Sequence, residues 1–349
     1  MAFLKRMTGA AGIGVALGYL SGIVSGRNGR RKREAARGRH ARTPLQMTWL
    51  GWKDVLLRFA GNVVDNRLTS LAGAVAFFTL LSLVPALSLL VSIYRYFTDP
   101  ATIASQLDAV TAVFPEAARE LIHEQALRLS SNAGFSLSLT FAVSLLVATW
   151  SANAAVKAIF DALNIIYREQ EKRSLLKLNA VSLLTTVSGI VLLTLVLIII
   201  ASLPVVTALF PFHFELERLI RLVRWPIFLV IATLSIACLY WIGPSRERMR
   251  FVWVIPGAIA AALLWAATSY AFSWYVSTLG NYTAVYGSLA TVVVFMTWLW
   301  LSATIVLAGA ELNAELEHQT AHDTTTGRPK PLGARGATLA DRIGPPRAG

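Results

Sequence analysis

Residues 179–201 read NAVSLLTTVSGIVLLTLVLIIIA, 23 residues without a charge or a proline. At 1.5 Å of rise per residue, about 20 residues of helix cross the ~30 Å of hydrocarbon in a bilayer. The apolar run is continuous rather than alternating, so it does not suit a strand of a membrane barrel. Backbone groups in lipid must bond within their own segment, which leaves a helix.

Working outward, five more stretches have comparable character: 71–94, 135–156, 225–242, 251–275 and 287–309. The centres of all six are uncharged. The whole chain agrees with this reading: its 349 residues are 55% hydrophobic and 15% charged, and its mean hydropathy is +0.58. Soluble domains run at roughly 45–50% apolar and about 25% charged. The expected fold is therefore an all-α polytopic membrane protein with six transmembrane helices.

Basic residues orient it. Segment 27–67 holds eleven Lys or Arg, loop 98–134 two, loop 167–178 four, loop 202–224 three, loop 243–250 three, loop 277–286 none and the tail beyond Leu316 five. The alternation of rich and poor places both termini in the cytoplasm by the positive-inside rule. The expected location is a bacterial inner membrane, in multi-pass form. Gly14, Gly18, Gly22 and Gly26 recur at a spacing that allows close helix approach. Were that segment to span, the count would become seven and the N-terminus would move outside.

Three divisions follow: a glycine-repeat and arginine-rich segment (1–44), a six-helix membrane domain (45–317) and a tail (318–349). The tail is rich in Thr, Gly, Pro and Arg and poor in apolar residues, so it is expected to be disordered. Residues 48–66 place Trp52, Leu56, Phe59 and Val63 on one face, the pattern of a helix lying in the membrane interface. Loop 98–134 is helix-like and is expected to form a small helical cap on the outer side.

Several functions lack a motif. There is no G-x-x-x-x-G-K-[ST] and no H-E-x-x-H, the five histidines are scattered, and Cys238 is the single cysteine. No carboxylate cluster is placed to hold the metals of a two-metal nuclease. The reading is non-enzymatic, with no cofactor, metal site or catalytic residue. The block RNGRRKREAARGRHAR carries eight Lys or Arg in sixteen residues. In a membrane protein it suits anionic lipid headgroups better than nucleic acid.

One polar feature stands out. In WSANAAVKAIFDALNIIYREQEKR (150–173), Asn153, Lys157, Asp161 and Asn164 follow at helical spacing. Two accounts remain open: a helix end reaching water, or a stripe lining a path open to the cytoplasm. Pro85 interrupts the first apolar stretch. It is either a static kink or a broken helix at a substrate site.

The blocks LAGAVAFFTLLSLVPALSLLVSI, WSANAAVKAIFDALNIIYREQEKR, WVIPGAIAAALLWAATSYAFSWYV and NYTAVYGSLATVVVFMTWLWLSATIVLAGAELNAEL resemble the YihY/virulence factor BrkB family over roughly 55–317. That resemblance implies a six-helix inner-membrane protein whose members have been called transporters, linked to serum resistance, or labelled ribonuclease BN. It carries no accepted catalytic residues. The functional expectation is a protein that moves or organises an amphipathic, lipid-like substrate through a path including Asn153, Lys157, Asp161, Asn164 and Pro85. The alternative is a structural or partner-binding membrane protein with no transport path.

Overall fold

The structure, a computed structural model, describes residues 34–94, 119, 139–209, 214–278, 286 and 289–347. Seven long helices are present among them: α1 (Trp49–Asp65), α2 (Leu68–Tyr94), α3 (Leu139–Ile166), α4 (Leu175–Leu209), α5 (Phe214–Ile242), α6 (Phe251–Thr278) and α7 (Ala290–Gln319). No strand occurs among the described residues; one antiparallel bridge joins Met249 to Thr325. Each of the six apolar stretches falls on its own helix, α2 to α7. By length and composition α6, α7 and Leu175–Leu192 of α4 suffice to cross a membrane, and Leu68–Ser82 and Pro226–Ile242 are shorter apolar helices. The expected outer cap (98–134) and the glycine repeat (14–26) lie outside the described residues.

α7 is the hub. It packs against α6, α2, α1 and α3, while α3 also packs on α2 and α4, and α5 packs on α6. The α6–α7 crossing is made of small residues. Ala258, Ala261 and Ala262 face Ala303, Ala310 and Ala314, all buried. At the closest point Gly257 meets Gly309: a Cβ on Gly257 would stand 2.1 Å from the Gly309 carbonyl oxygen. Only glycine at both positions permits that approach.

Pro256 lies inside α6 and removes a backbone donor. Asn313 of α7 bridges the disturbed turn. The Gly257 N–H donates to Asn313 Oδ1 at 2.7 Å, and Asn313 Nδ2 donates to the Val254 carbonyl at 2.6 Å. A buried polar side chain thus completes the neighbouring helix's backbone bonding, as burial demands.

α1 starts where Thr48 caps it: Thr48 Oγ accepts from the Gly51 N–H at 3.2 Å and donates to the Ala36 carbonyl at 2.7 Å. Its two sides differ in polarity. The buried face carries Gly51, Asp54, Val55 and Arg58, whereas Leu56 of the expected apolar face is 49% exposed, and Trp49, Leu50, Leu57 and Val64 are exposed too. Asp54 and Arg58 turn inward because polar partners wait there, while of the expected apolar face Trp52 and Val63 pack partly against the core and Leu56 lies outward.

The tail is also corrected. Residues 320–347 do not dangle: Thr324, Ala337, Leu339 and Ala340 are almost wholly buried. The composition is poor in apolar groups, but backbone and arginine hydrogen bonds substitute for them. Arg335, 4% exposed, donates to the carbonyls of Ala321 and Ala340 at 2.7 Å and of His322 at 3.0 Å. The segment 34–43, placed by sequence with the N-terminal division, joins the same layer through the Ala321 N–H on the Arg39 carbonyl (2.8 Å) and Thr320 Oγ on the Ala41 carbonyl (2.7 Å).

Candidate polar site at the basic end of the bundle

The four stripe residues all sit on α3, but they do not share one environment. Asn153 and Asn164 are buried, at 4% and 5% exposure. Lys157 is half-buried, with its ammonium 5.9 Å from the Trp150 ring centroid, and Asp161 is exposed. Helix geometry explains the split. At roughly 100° per residue, Lys157 lies about 40° from Asn153, Asp161 about 80°, and Asn164 back at about 20°. The stripe therefore drifts outward at Asp161 and returns. Pro85 lies within α2, whose helix runs on to Tyr94; its side chain is outside the described residues.

Asn164 is a bracket rather than a path residue. Its Oδ1 accepts from the Ser245 N–H at 2.7 Å, and its Nδ2 donates to Glu171 Oε2 at 3.0 Å. The Lys172 N–H then donates to Ser245 Oγ at 2.9 Å. Arg173 forks onto Glu171 with two bonds of 2.7 Å and reaches the Gly243 carbonyl at 2.8 Å. These bonds sew the turn after α3 to the turn before α6. The Arg173 guanidinium is the main reason that the Glu171 carboxyl is held down at about 2. Asn153 has no such role. Its Oδ1 is buried and has no hydrogen-bond partner, a costly state for a polar atom.

The turn itself has an unusual backbone. Arg168 has φ of 54°, and the Glu169 N–H donates to the Asn164 carbonyl while the Arg168 N–H donates to that of Ile165. This is a Schellman closure with arginine in the left-handed position that glycine usually takes.

The densest polar site was not singled out from sequence. Asp54, Arg58 and Asn62 on α1 and Asn66 at its C-cap recur every four residues; Glu311, Glu315 and Gln319 do so on α7. The two ladders face each other antiparallel. Arg58 Nε donates to Glu315 Oε2, and Arg58 Nη2 to Gln319 Oε1 at 2.8 Å. Asn62 Nδ2 donates to Glu315 Oε1 at 2.7 Å and to Glu311 Oε1 at 2.9 Å; Asn66 Nδ2 donates to Glu311 Oε2 at 2.9 Å. At the first rung Arg37 Nη1 meets both oxygens of Asp54, at 2.9 and 2.7 Å. The tail closes over this end. The Arg347 N–H donates to Asp54 Oδ1 at 2.7 Å, and Arg58 Nη1 to the Pro345 carbonyl at 3.2 Å.

On another face of α7, Arg246 pairs with Glu317 through both guanidinium nitrogens, and Thr324 of the tail donates to the same carboxylate. The Arg246 guanidinium stands 5.2 Å from the Tyr167 ring centroid. The signal in the sequence was the run AELNAEL ending an apolar helix, matched by a four-residue polar repeat in 54–66. No group of three or more His, Cys, Asp or Glu placed to hold a metal occurs among the described residues.

Comparison with known proteins places this architecture. The sequence profile described as Virulence factor BrkB matches residues 59–332. A ribonuclease-like protein, YfkH, of Bacillus subtilis is 30% identical over 262 residues, covering 71% of this chain and 89% of its own. A UPF0761 membrane protein of Pseudoalteromonas translucida is 29% identical over 284 residues, covering 78% of this chain and 88% of its own. Another of that name, from Nitrosospira multiformis, is 30% identical and covers 75% of this chain but only 59% of its own length. No solved structure gave a significant match. The profile match spans most of the chain, including the α7 ladder, Asn62 and Asn66 of the facing one and the α3 stripe, and the chain belongs to the Virulence factor BrkB family.

Proposed function

We propose that this chain is a six-span inner-membrane protein, both termini cytoplasmic, that moves or organises an amphipathic, lipid-like substrate. The observation that carries this reading is Asn153: a nearly buried amide on the bundle side of α3 with an unpartnered Oδ1. A group of that kind is either a defect or a place reserved for a donor on something that passes. Lys157, one turn on and half-buried, is positioned to attract an anionic headgroup toward it. Asp161 flanks the entrance. The basic segment 27–42 serves as an anchor to anionic lipid and not to nucleic acid. The orientation rests on the charge alternation of the loops.

The test is lipid-probe movement in vesicles reconstituted with the full chain. Asn153→Leu and Lys157→Glu should each reduce the rate at least tenfold while the protein stays folded. Unchanged rates in both variants would refute the path.

A second reading has its own support. α4 packs chiefly on α3 and exposes Leu183, Leu184, Val187, Val191 and Leu195, a surface suited to a partner in the membrane as well as to lipid. A partner-binding scaffold predicts a cross-linked complex through α4 and no lipid movement. The ribonuclease-like name of the Bacillus relative would bring a third reading, which predicts RNA cleavage by pure protein; the proposal predicts none.

A further inference from the structure

The α1–α7 ladders contain a charge imbalance. Glu311 and Glu315 are each 1% exposed, lie one turn apart on α7, and share one donor: the Asn62 amide nitrogen bonds Glu311 Oε1 at 2.9 Å and Glu315 Oε1 at 2.7 Å. Arg58, 3% exposed, pairs with Glu315. Glu311 has no cation hydrogen-bonded to it; its oxygens take amide N–H groups of the neutral Asn62 and Asn66. A buried charge without a partner costs several kcal/mol even after relaxation. Two carboxylates within reach of one nitrogen resist ionising together.

A second observation points the same way. His318 Nδ1, on a side chain 6% exposed, stands 3.4 Å from Glu315 Oε1 but makes no hydrogen bond. It is a buried nitrogen without a hydrogen bond, aimed at the pair. The other groups around the pair are accounted for. Tyr167 and the exposed Arg168 approach Glu311 from the turn after α3. Arg246 is committed to Glu317. From α6, the backbone of Val254 and Gly257 takes up the Asn313 amide. Besides His318, Arg58 is the sole basic side chain pairing directly with the two carboxylates among the described residues.

The geometry points to a one-proton site: Glu311 and Glu315, with His318 beside them, bind a single proton that Asn62 and Asn66 hold in place between α1 and α7. The site lies past the last apolar stretch, 287–309, at the basic end of the bundle. Loss of the proton leaves two buried negative charges against one arginine and drives α1 away from α7. The tail, tied to the same ladder through Asp54 and Arg58, would loosen with it. The inference stands whether or not the chain moves a substrate.

The experiment is infrared spectroscopy of the full chain in lipid as pH is raised. At pH 7 the wild type should show the carbonyl band of a protonated carboxyl, lost as a single titration at higher pH. Glu311→Gln should remove that band. Glu315→Gln should remove it too, since Arg58 is then free to balance an ionised Glu311. Absence of the band in the wild type overturns the proposal, and so does its persistence in either variant. Should Glu311→Gln not fold, the wild-type titration and Glu315→Gln decide alone.

Discussion

The α1–α7 ladders and the α3 stripe are built alike and behave differently. Both place polar groups about one helical turn apart at the end of an apolar element. In the ladders, each α1 rung meets a partner on α7, the N-terminal segment or the tail, and the result is a latch that holds three parts of the chain together. In the stripe, Asn153 is buried with its Oδ1 unbonded, Lys157 leans over Trp150, Asp161 looks outward, and Asn164 is absorbed into a turn. Spacing alone says that residues share a face. Whether the face is structural depends on a second, complementary face elsewhere in the chain.

The largest loss is expected at Arg58. Arg58→Met removes the cation from Glu315, the donor from Gln319 and the tie to the tail. Breaking a buried pair by removing one partner costs about 3–5 kcal/mol, so the detergent-solubilised protein should lose that much in denaturant unfolding. A loss below about 1 kcal/mol would mean that the ladders are not a latch. Next comes the crossing that brings α7 to α6. Gly257→Ala puts a methyl where 2.1 Å separates Cβ from a carbonyl oxygen. Backbone cannot yield as a side-chain tip does, and overpacking of this kind costs about 1–3 kcal/mol. A neutral result in thermal unfolding would show that α6 and α7 slide freely.

The apolar helices were legible because hydropathy and length act locally. Each of the six stretches found its helix without knowledge of any other. The latch was not legible for the opposite reason. Glu311 and Asn62 are 249 residues apart, and neither ladder means anything without its mate. The same blindness hid the polar side of α1: Trp52, Leu56, Phe59 and Val63 stood out as an apolar stripe, while Asp54 and Arg58 had partners to find in distant segments. The tail misled through composition. Few apolar residues usually mean disorder, yet Arg335 organises the segment by capping carbonyls, a role no hydropathy pattern reveals. Asn153, Lys157, Asp161 and Asn164 were legible as a helical stripe, but their different burial was not, because it depends on what packs against α3.

Acid separates the bracket at Asn164 from the latch. Glu171 is held at about 2, below its ordinary 4.5. The folded chain therefore binds the proton less readily than the unfolded chain. The stabilisation is fully present above pH 4.5 and fades as pH falls toward 2. Glu171 is largely solvated, so screening keeps the effect small. Glu171→Gln should flatten the stability profile of the 167–174 turn across that window. Hydrogen exchange at Arg173 and Ser245, whose backbone and side chain engage this network, is the measurement. An unaltered profile would detach Glu171 from the bracket.

The smallest stability effect is expected at Lys157 and Asp161. Exchanging the charges in Lys157→Asp with Asp161→Lys touches one half-buried and one exposed side chain. An i,i+4 pair is worth about 0.2–0.5 kcal/mol on a helix, and its reversal changes little more. The unfolding midpoint of the doubly exchanged protein should therefore sit near that of the wild type, in contrast to Arg58→Met. Lipid movement should not survive it, because the cation that faces the approach to Asn153 has become an anion. A protein that keeps both its stability and its lipid movement would make the stripe a helix end reaching water. A protein that loses stability as much as Arg58→Met does would make it a second latch. Retained stability with lost movement is the outcome that separates a place for a ligand from a place already filled.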